Sequence, residues 1–251
     1  MILYALQISP IDAREAVDLV HLICDIQPSS KCKEPREWLI SYRRDTPLDR
    51  IWNIQKTLAA KFEVVHVSQA TRYANGWPAG PNALWLCTMV CAADLRKNRL
   101  IKSDGVLTFE PDNVPARRDW MDRLESAYEH RIQPILGNLH QGTIPDHING
   151  NAIFPVGFLK EYPEMLETPP STAWDFYHRA LLLTLAQDSP YLLQLYQRKK
   201  LTLEEWRALR KFTVRPALLH GIKDSSAREL ARLDLVAKNR IAPPRKLVLQ
   251  P

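Results

Sequence analysis

Glycine is scarce in this chain, with eight residues in 251 against nineteen prolines, where average usage is roughly 7% and 5%. Glycine must therefore sit where a positive φ or a close approach demands it, and rigid turns are frequent. Cysteine is rarer still. Cys24, Cys32, Cys87 and Cys91 contain no CxxC pair, which excludes a dense disulfide framework and supplies no thiolate metal cage. Cys87 and Cys91, four apart in LWLCTMVCAADL, read as buried thiols on a helix. No run approaches the roughly 18 uncharged apolar residues of a membrane span. The start MILYALQISP lacks the basic region that precedes the apolar stretch of a signal peptide. A cytoplasmic location is the resulting expectation.

The charge imbalance is modest, 34 Lys plus Arg against 28 Asp plus Glu, a net +6. It favours anionic partners without naming one. A hydrophobic content of 45% over this length can bury a sizeable core and excludes wholesale disorder. One domain spanning 1–251 is expected, with 190–251 a mainly helical C-terminal extension.

The order of elements points to a layered α/β sheet. LYALQIS reads as a strand, and Asp12 opens a helix with Glu15 at capping-box spacing. REWLISYR is a second strand, PLDRIWNIQKTLAAKF a helix with Pro47 at its first turn, and FEVVHVS a third strand. Thr71 to Asn82 form a structured loop before the helix ALWLCTMVCAADL. GVLTFE is a strand that stops at Pro111, Asp112 and Asn113, after which Pro115 opens the helix ARRDWMDRLESAYEHR. PILGNLH and NAIFPV are short strands around PDHINGN, and Ser171 and Thr172 cap one long helix, AWDFYHRALLLTLAQ. TLEEWRALRKF and ARELARLDLVAKN read as further helices, joined through HGIKDSS and followed by a proline-rich tail.

Polar residues at the carboxyl end of a strand stand where open α/β sheets bind ligands. Glu110 and Asp112 alternate at such an end, and two hard carboxylates directed into one cleft suit Mg²⁺ or Mn²⁺. The same spacing also describes a capped turn ahead of Pro115. His220, beside Gly221, is the best distal ligand candidate, although a histidine there also suits a helix end. Lys223 and Arg228 can meet a diphosphate or simply face solvent. His147 and Asn149 lie on a turn where Gly150 permits close approach, or where they make local turn bonds. Asp175, in a first helical turn, either stabilises the helix dipole or accepts a proton as a general base. Trp77, between glycine and proline, is poorly placed for a helix core and can flank a substrate. Trp120, Trp174 and Trp206, also beside polar candidates, read first as core or rim residues.

Read in order, GWPAGPN from Gly76, GVLTFEPDNVPARRDWMDRL from Gly105, DHINGNAIFP from Asp146, STAWDFYHRAL from Ser171 and HGIKD from His220 resemble bacterial and phage-like members of the GT-A nucleotide-diphospho-sugar glycosyltransferases. Glu110 stands where that family more often has Asp. The resemblance implies a Rossmann-like three-layer α/β/α sandwich with a mixed central sheet, and transfer of a sugar from a nucleoside-diphosphate donor to an acceptor hydroxyl. It implies Mn²⁺ or Mg²⁺ at Asp112, with Glu110 facing the ribose or a metal-bound water, His220 closing the site and Lys223 near the phosphates. Gly76, Trp77 and Asn82 would enclose the donor. Gly150 and Asn151 would lie near sugar and acceptor, and Asp175 would be the base.

The acceptor left open by this reading includes a hydroxymethylated base in phage DNA. Two other classes compete. One is a nucleic-acid-binding protein using the seven Lys or Arg between Lys223 and Lys246, which are interspersed with three acids. The other is an inactive glycosyltransferase-like interaction scaffold. Oligomeric state is open.

Overall fold

The computed structural model describes residues 1–27, 35–140, 146–198, 200–212, 214–222 and 225–236. Strands β1 (Ile2–Ile8), β2 (Glu37–Tyr42), β3 (Val64–Gln69) and β4 (Gly105–Phe109) are parallel neighbours in the order β4, β1, β2, β3. They alternate with helices α1 (Ala13–Ile26), α2 (Leu48–Ala59) and α3 (Ala79–Lys97). Strand β1 is buried on both faces, as a central parallel strand must be. Tyr4, Leu6 and Ile8 face a core with Trp38, Phe109 and Trp120, whereas Leu3 and Ala5 face Trp85, Met89 and Phe154. Two apolar layers thus sandwich one sheet.

Chain order reverses at β1, since β2 and β3 extend to one side and α3 carries the chain across to β4 on the other. Such a switch point opens a crevice at the carboxyl ends of β1 and β4. The crossover is anchored by Glu37, a buried carboxylate accepting hydrogen bonds from the amides of Lys102 at 2.7 Å and Ser103 at 2.9 Å and from the Ser103 hydroxyl at 2.5 Å. That clamp fixes the segment entering β4.

After β4 come β5 (Val114–Pro115), α4 (Trp120–Glu129), β6 (Ile135–Gly137), β7 (Leu139–His140), β8 (His147–Ile148) and β9 (Ile153–Pro155). Strand β9 runs antiparallel between β4 and β6, and β10 (Ala186–Asp188) completes a mixed seven-stranded sheet in the order β10-β6-β9-β4-β1-β2-β3. Strands β7 and β8 form a separate pair. Helices α5 (Phe158–Glu161), α6 (Trp174–Tyr177) and α7 (Arg179–Leu185) lie between β9 and β10. Beyond them, β11 (Leu192–Arg198) and β12 (Leu218–Ile222) join β5 in a three-stranded sheet, with α8 (Leu203–Ala208) between them and α9 (Ser226–Ala231) after them. Among the described residues no helix is long and apolar enough to cross a membrane.

Several local expectations are corrected. Asp12 does not cap α1: its Oδ1 accepts from the Ser9 amide at 2.7 Å, which turns the carboxylate back toward β1. Val114 and Pro115 pair with β12, so the helix expected at Pro115 begins at Trp120. The long helix over 173–187 is divided at His178 and ends early, because Ala186–Asp188 pairs with β6. The helical reading of the region beyond 190 also changes, since LLQLYQR and LLHGI are strands. Their leucines bury against the main core as sheet faces. Gly221 holds φ +89°, and a Cβ there would meet the Leu195 carbonyl oxygen at 2.3 Å. That conformation is open to glycine and suits no helix.

Gly105 starts β4 against the Tyr128 ring, where a Cβ would lie 2.5 Å from Cε1. Gly105→Ala is expected to destabilise the fold by about 1–3 kcal/mol through overpacking. Urea unfolding of the two proteins measures this, with an unchanged midpoint as the contrary result.

Candidate functional site

The chain leaves β4 at Phe109 and makes a tight turn, in which the Asn113 amide and its Nδ2 both donate to the Glu110 carbonyl at 3.0 Å. The turn is held from outside by Asn151. Its Oδ1 accepts from the Glu110 amide at 3.2 Å and from Asn113 Nδ2 at 2.6 Å, while its own Nδ2 donates to Asn149 Oδ1 at 3.0 Å. Thr108 binds the Gly150 carbonyl at 2.7 Å. The asparagine turn expected to face an acceptor thus spends its amides bracing the acidic turn.

His220 reaches the same place from β12. Its Nδ1–H donates to Oε1 of Gln194 on β11, which fixes the tautomer and leaves Nε2 toward the acids. Nε2 lies 3.2 Å from Asp112 Oδ1 and 3.6 Å from Glu110 Oε2. Ligand atoms of Glu110, Asp112 and His220 all fall within 4.8 Å of one another. Burial opposes charge on the imidazole, but the Asp112 and Glu110 carboxylates override it and push its pKa up to about 9. The proton compensates for crowded negative charge. His220 Nε2 is buried and directed at the two carboxylates, where a ligand nitrogen would stand. Two carboxylates and one imidazole form a donor set appropriate to Mn²⁺ or Mg²⁺.

Asp12 escaped the sequence reading as a site group, and Arg228 stands where that reading did not put it. Burial pushes the Asp12 carboxyl up to about 6 against the lowering effect of the Ser9 hydrogen bonds, with Glu110 and Asp112 adding to the rise. Asp12 therefore belongs to the electrostatics of the same site. Arg228, expected at the surface or on a diphosphate, is 3% exposed and donates from Nη1 to the Pro111 carbonyl at 3.2 Å. It ties α9 to the middle of the acidic turn.

Asp175 is half-buried in the first turn of α6. Burial raises its pKa to about 6, the Phe176 amide and its own amide oppose the rise, and Glu110 contributes to it. Its electrostatic coupling to Glu110 and His220 brings it into the cluster's neighbourhood. His147 is buried and stacks on Phe176 at 4.2 Å. Asn82, on α3, donates to the Thr172 carbonyl at 2.8 Å and accepts from the Trp174 amide at 3.0 Å, so it ties α3 to the approach to α6. Gly76 has φ +71°, and Trp77 is 79% exposed. Trp120, Trp174 and Trp206 are buried in the core. Lys223 lies outside the described residues.

The raised pKa of His220 gives a stability prediction. Its unfolded value is near 6.5, so the imidazolium's contribution is fully present below that pH and is lost as pH rises through about 9. Metal-free protein should lose at most on the order of 3 kcal/mol of unfolding free energy across that interval. Urea titrations at pH 6.5 and 9.5 should show the loss, and His220→Gln should flatten it. Gln194→Leu, which frees the imidazole to turn, should weaken Mn²⁺ binding by about 10- to 100-fold in calorimetry.

No protein-family model matches the sequence, and no curated protein sequence is similar to it. Solved structures are similar in fold. The galactosyltransferase LgtC, solved with donor and acceptor sugar analogues, superposes with a TM-score of 0.53 at 8% identity, covering 94% of this chain and 95% of that one. Mouse xyloside xylosyltransferase 1 gives 0.52 at 7% identity, covering 88% and 98%. A fragment of TarS from S. aureus gives 0.50 at 12% identity over 75% of this chain, which spans 57% of that fragment. The chain likewise spans 45% of the bifunctional glycosyltransferase WbbM. Its mixed seven-stranded sheet with flanking helices is the GT-A fold of nucleotide-sugar glycosyltransferases.

Proposed function

We propose that the protein is a metal-dependent glycosyltransferase that moves a hexosyl or pentosyl group from a nucleoside-diphosphate sugar to an acceptor hydroxyl. The convergence of Glu110, Asp112 and His220 at the carboxyl end of β4 carries this reading. These three residues would hold Mn²⁺ or Mg²⁺. When bound, the cation supplies positive charge against the departing diphosphate. Gly76, Trp77 and Asn82 stand on the loop and helix start that would enclose the donor, and Lys223 is assigned to the phosphates.

Asp175 is the proposed base. The acceptor oxygen bonds to the anomeric carbon as the bond from that carbon to the diphosphate oxygen breaks. The diphosphate leaves with the electron pair, and Asp175 takes the acceptor's proton. A carboxylate with a pKa of about 6 is ionised at neutral pH, yet a stronger base than an ordinary aspartate. The sign of its linkage fits a functional group: stability is greatest below the ordinary carboxyl pKa and falls as pH rises through about 6. The buried carboxylate costs stability in its working state.

For the acceptor we favour a hydroxymethylated base in DNA, in keeping with the net charge of +6. His147, Asn149, Gly150 and Asn151 are assigned to the acceptor. The convergence of three side chains able to ligate a metal argues against an inactive scaffold.

A panel of radiolabelled nucleotide sugars, with hydroxymethylated DNA, glycans and simple alcohols as acceptors, tests the reading. Transfer should require added Mn²⁺ or Mg²⁺ and vanish in Asp112→Ala. kcat/KM should rise with pH through about 6, and Asp175→Asn should lower kcat by about 10²- to 10⁴-fold. Transfer that ignores metal and survives Asp112→Ala would reject the proposed centre.

A further inference from the structure

Strand β3 ends the seven-stranded sheet on one side, and among the described residues no strand pairs with its outer edge. The Ala70 amide donates to the Tyr42 carbonyl of β2 at 2.8 Å, so alternation along the strand turns the N–H and C=O groups of Val65, Val67 and Gln69 off the sheet. Natural sheets guard such an edge with proline, lysine, a bulge or extreme shortness. Over six residues, VVHVSQ carries none of these, whereas the opposite edge, β10, is three residues long and ends in Asp188. We infer that β3 pairs antiparallel with β3 of a second copy of this chain, joining the two sheets across a two-fold axis at Val67. The inference is independent of the transferase reading.

The surface beside this edge is apolar where such pairing would cover it. Helix α2 packs on β2 and β3, with Ile51, Ile54 and Leu58 turned to the sheet. Thr57, whose carbonyl accepts from the Cys24 thiol at 3.6 Å, marks the flank packed on α1. Leu48, Trp52, Gln55 and Ala59 recur at helical spacing on the other flank, which looks out past β3. Leu48 is 47% and Trp52 64% exposed. Val67, on the same sheet face as the core-packed Val65, is 37% exposed. Because α2 descends from the end of β2 to the start of β3, rotation about Val67 lays the two α2 helices side by side in opposite directions. With paired strands about 4.8 Å apart, the helices come to roughly 10 Å, a packing distance, and both Trp52 rings fall near the axis. A tryptophan flanked by aliphatic side chains is the composition of an interface core.

The charges at the rim argue for a second copy as the occupant, since they match themselves under the same rotation. Glu63 precedes β3 and Arg72 follows it, and both are exposed. Antiparallel pairing centred on Val67 sets Val65 opposite Gln69 and brings Glu63 of each copy to the Thr71–Arg72 end of the other. On α2, exposed Asp49 stands in the first turn, 3.6 Å from its neighbour Arg50, and exposed Lys56 lies about two turns below. Antiparallel helices oppose the acid of one copy to the lysine of the other. An isologous contact makes each of these pairs twice. A strand of another protein would need the same order of acid, apolar centre and base, which a second copy supplies by symmetry.

Sedimentation velocity of the full chain over about 1–100 μM tests the inference and should show a monomer–dimer equilibrium. Trp52→Glu, at an exposed position, and Val67→Pro, at an edge position whose N–H points off the sheet, should each raise the dimer dissociation constant about tenfold or more. Glu63→Arg and Arg72→Glu should each raise it about 3- to 10-fold by setting like charges together. Mixed in equal amounts, those two charge variants should form a heterodimer within about threefold of the wild-type affinity, because each then presents the charge that the other lacks. Urea midpoints close to wild type identify the variants whose fold is intact. A chain that is monomeric throughout, a dimer indifferent to both Trp52→Glu and Val67→Pro, or a mixture of the charge variants that associates no better than either alone would each overturn the inference.

Discussion

Two carboxylates and an imidazole nitrogen crowded within 4.8 Å repel or compete unless positive charge lies among them. Without a metal, a proton on His220 supplies that charge, and its pKa near 9 records how strongly the acids demand it. Much of the remaining architecture keeps this unfavourable arrangement from relaxing. Glu37 pins the entry to β4, Asn151 grips the turn that follows, Gln194 orients the imidazole, and Arg228 holds the Pro111 carbonyl between the two acids. These restraints come from distant parts of the chain and meet at one turn. Asp12, with a carboxyl raised by burial and by the same acids, shows that the negative field extends to the end of β1.

The topology explains why the restraints converge there. Reversal of strand order beside β1 opens the crevice, and the second sheet, built from β11, β12 and β5, closes over it from the C-terminal side. Strand β12 brings His220 in, and α9 returns Arg228 beneath the turn. On the other flank, α6 carries two adjacent residues with different duties: Trp174 walls a cavity, and Asp175 faces the charged cluster's field. Asn82 fastens this four-residue helix to α3.

The alternating strands and helices up to Phe109 were legible because parallel core strands leave dense apolar runs and the intervening helices carry clear amphipathic faces. FEPDN was legible as a candidate site because its acids stand at a strand's carboxyl end, although the same spacing describes a capped turn. The second sheet was not legible. LLQLYQR is as leucine-rich as a helix, and only pairing with β12, distant in sequence, makes it a strand. Burial of Arg228 was equally hidden, because it depends on where α9 packs rather than on its neighbours in the chain. Asn149 and Asn151 looked like ligand-facing turn residues, whereas a tertiary contact turns the Asn151 amide onto the acidic turn and Asn149 braces Asn151.

Glu110, Asp112 and His220 are proposed to ligate one divalent cation together. Electron spin-echo envelope modulation of Mn²⁺ bound to the full chain tests it directly, since a coordinated imidazole imposes nitrogen modulation on the manganese signal. The account predicts nitrogen modulation from a single histidine in the wild-type protein and its disappearance in His220→Gln. Bound Mn²⁺ with no nitrogen modulation, or modulation that persists in His220→Gln, would contradict it.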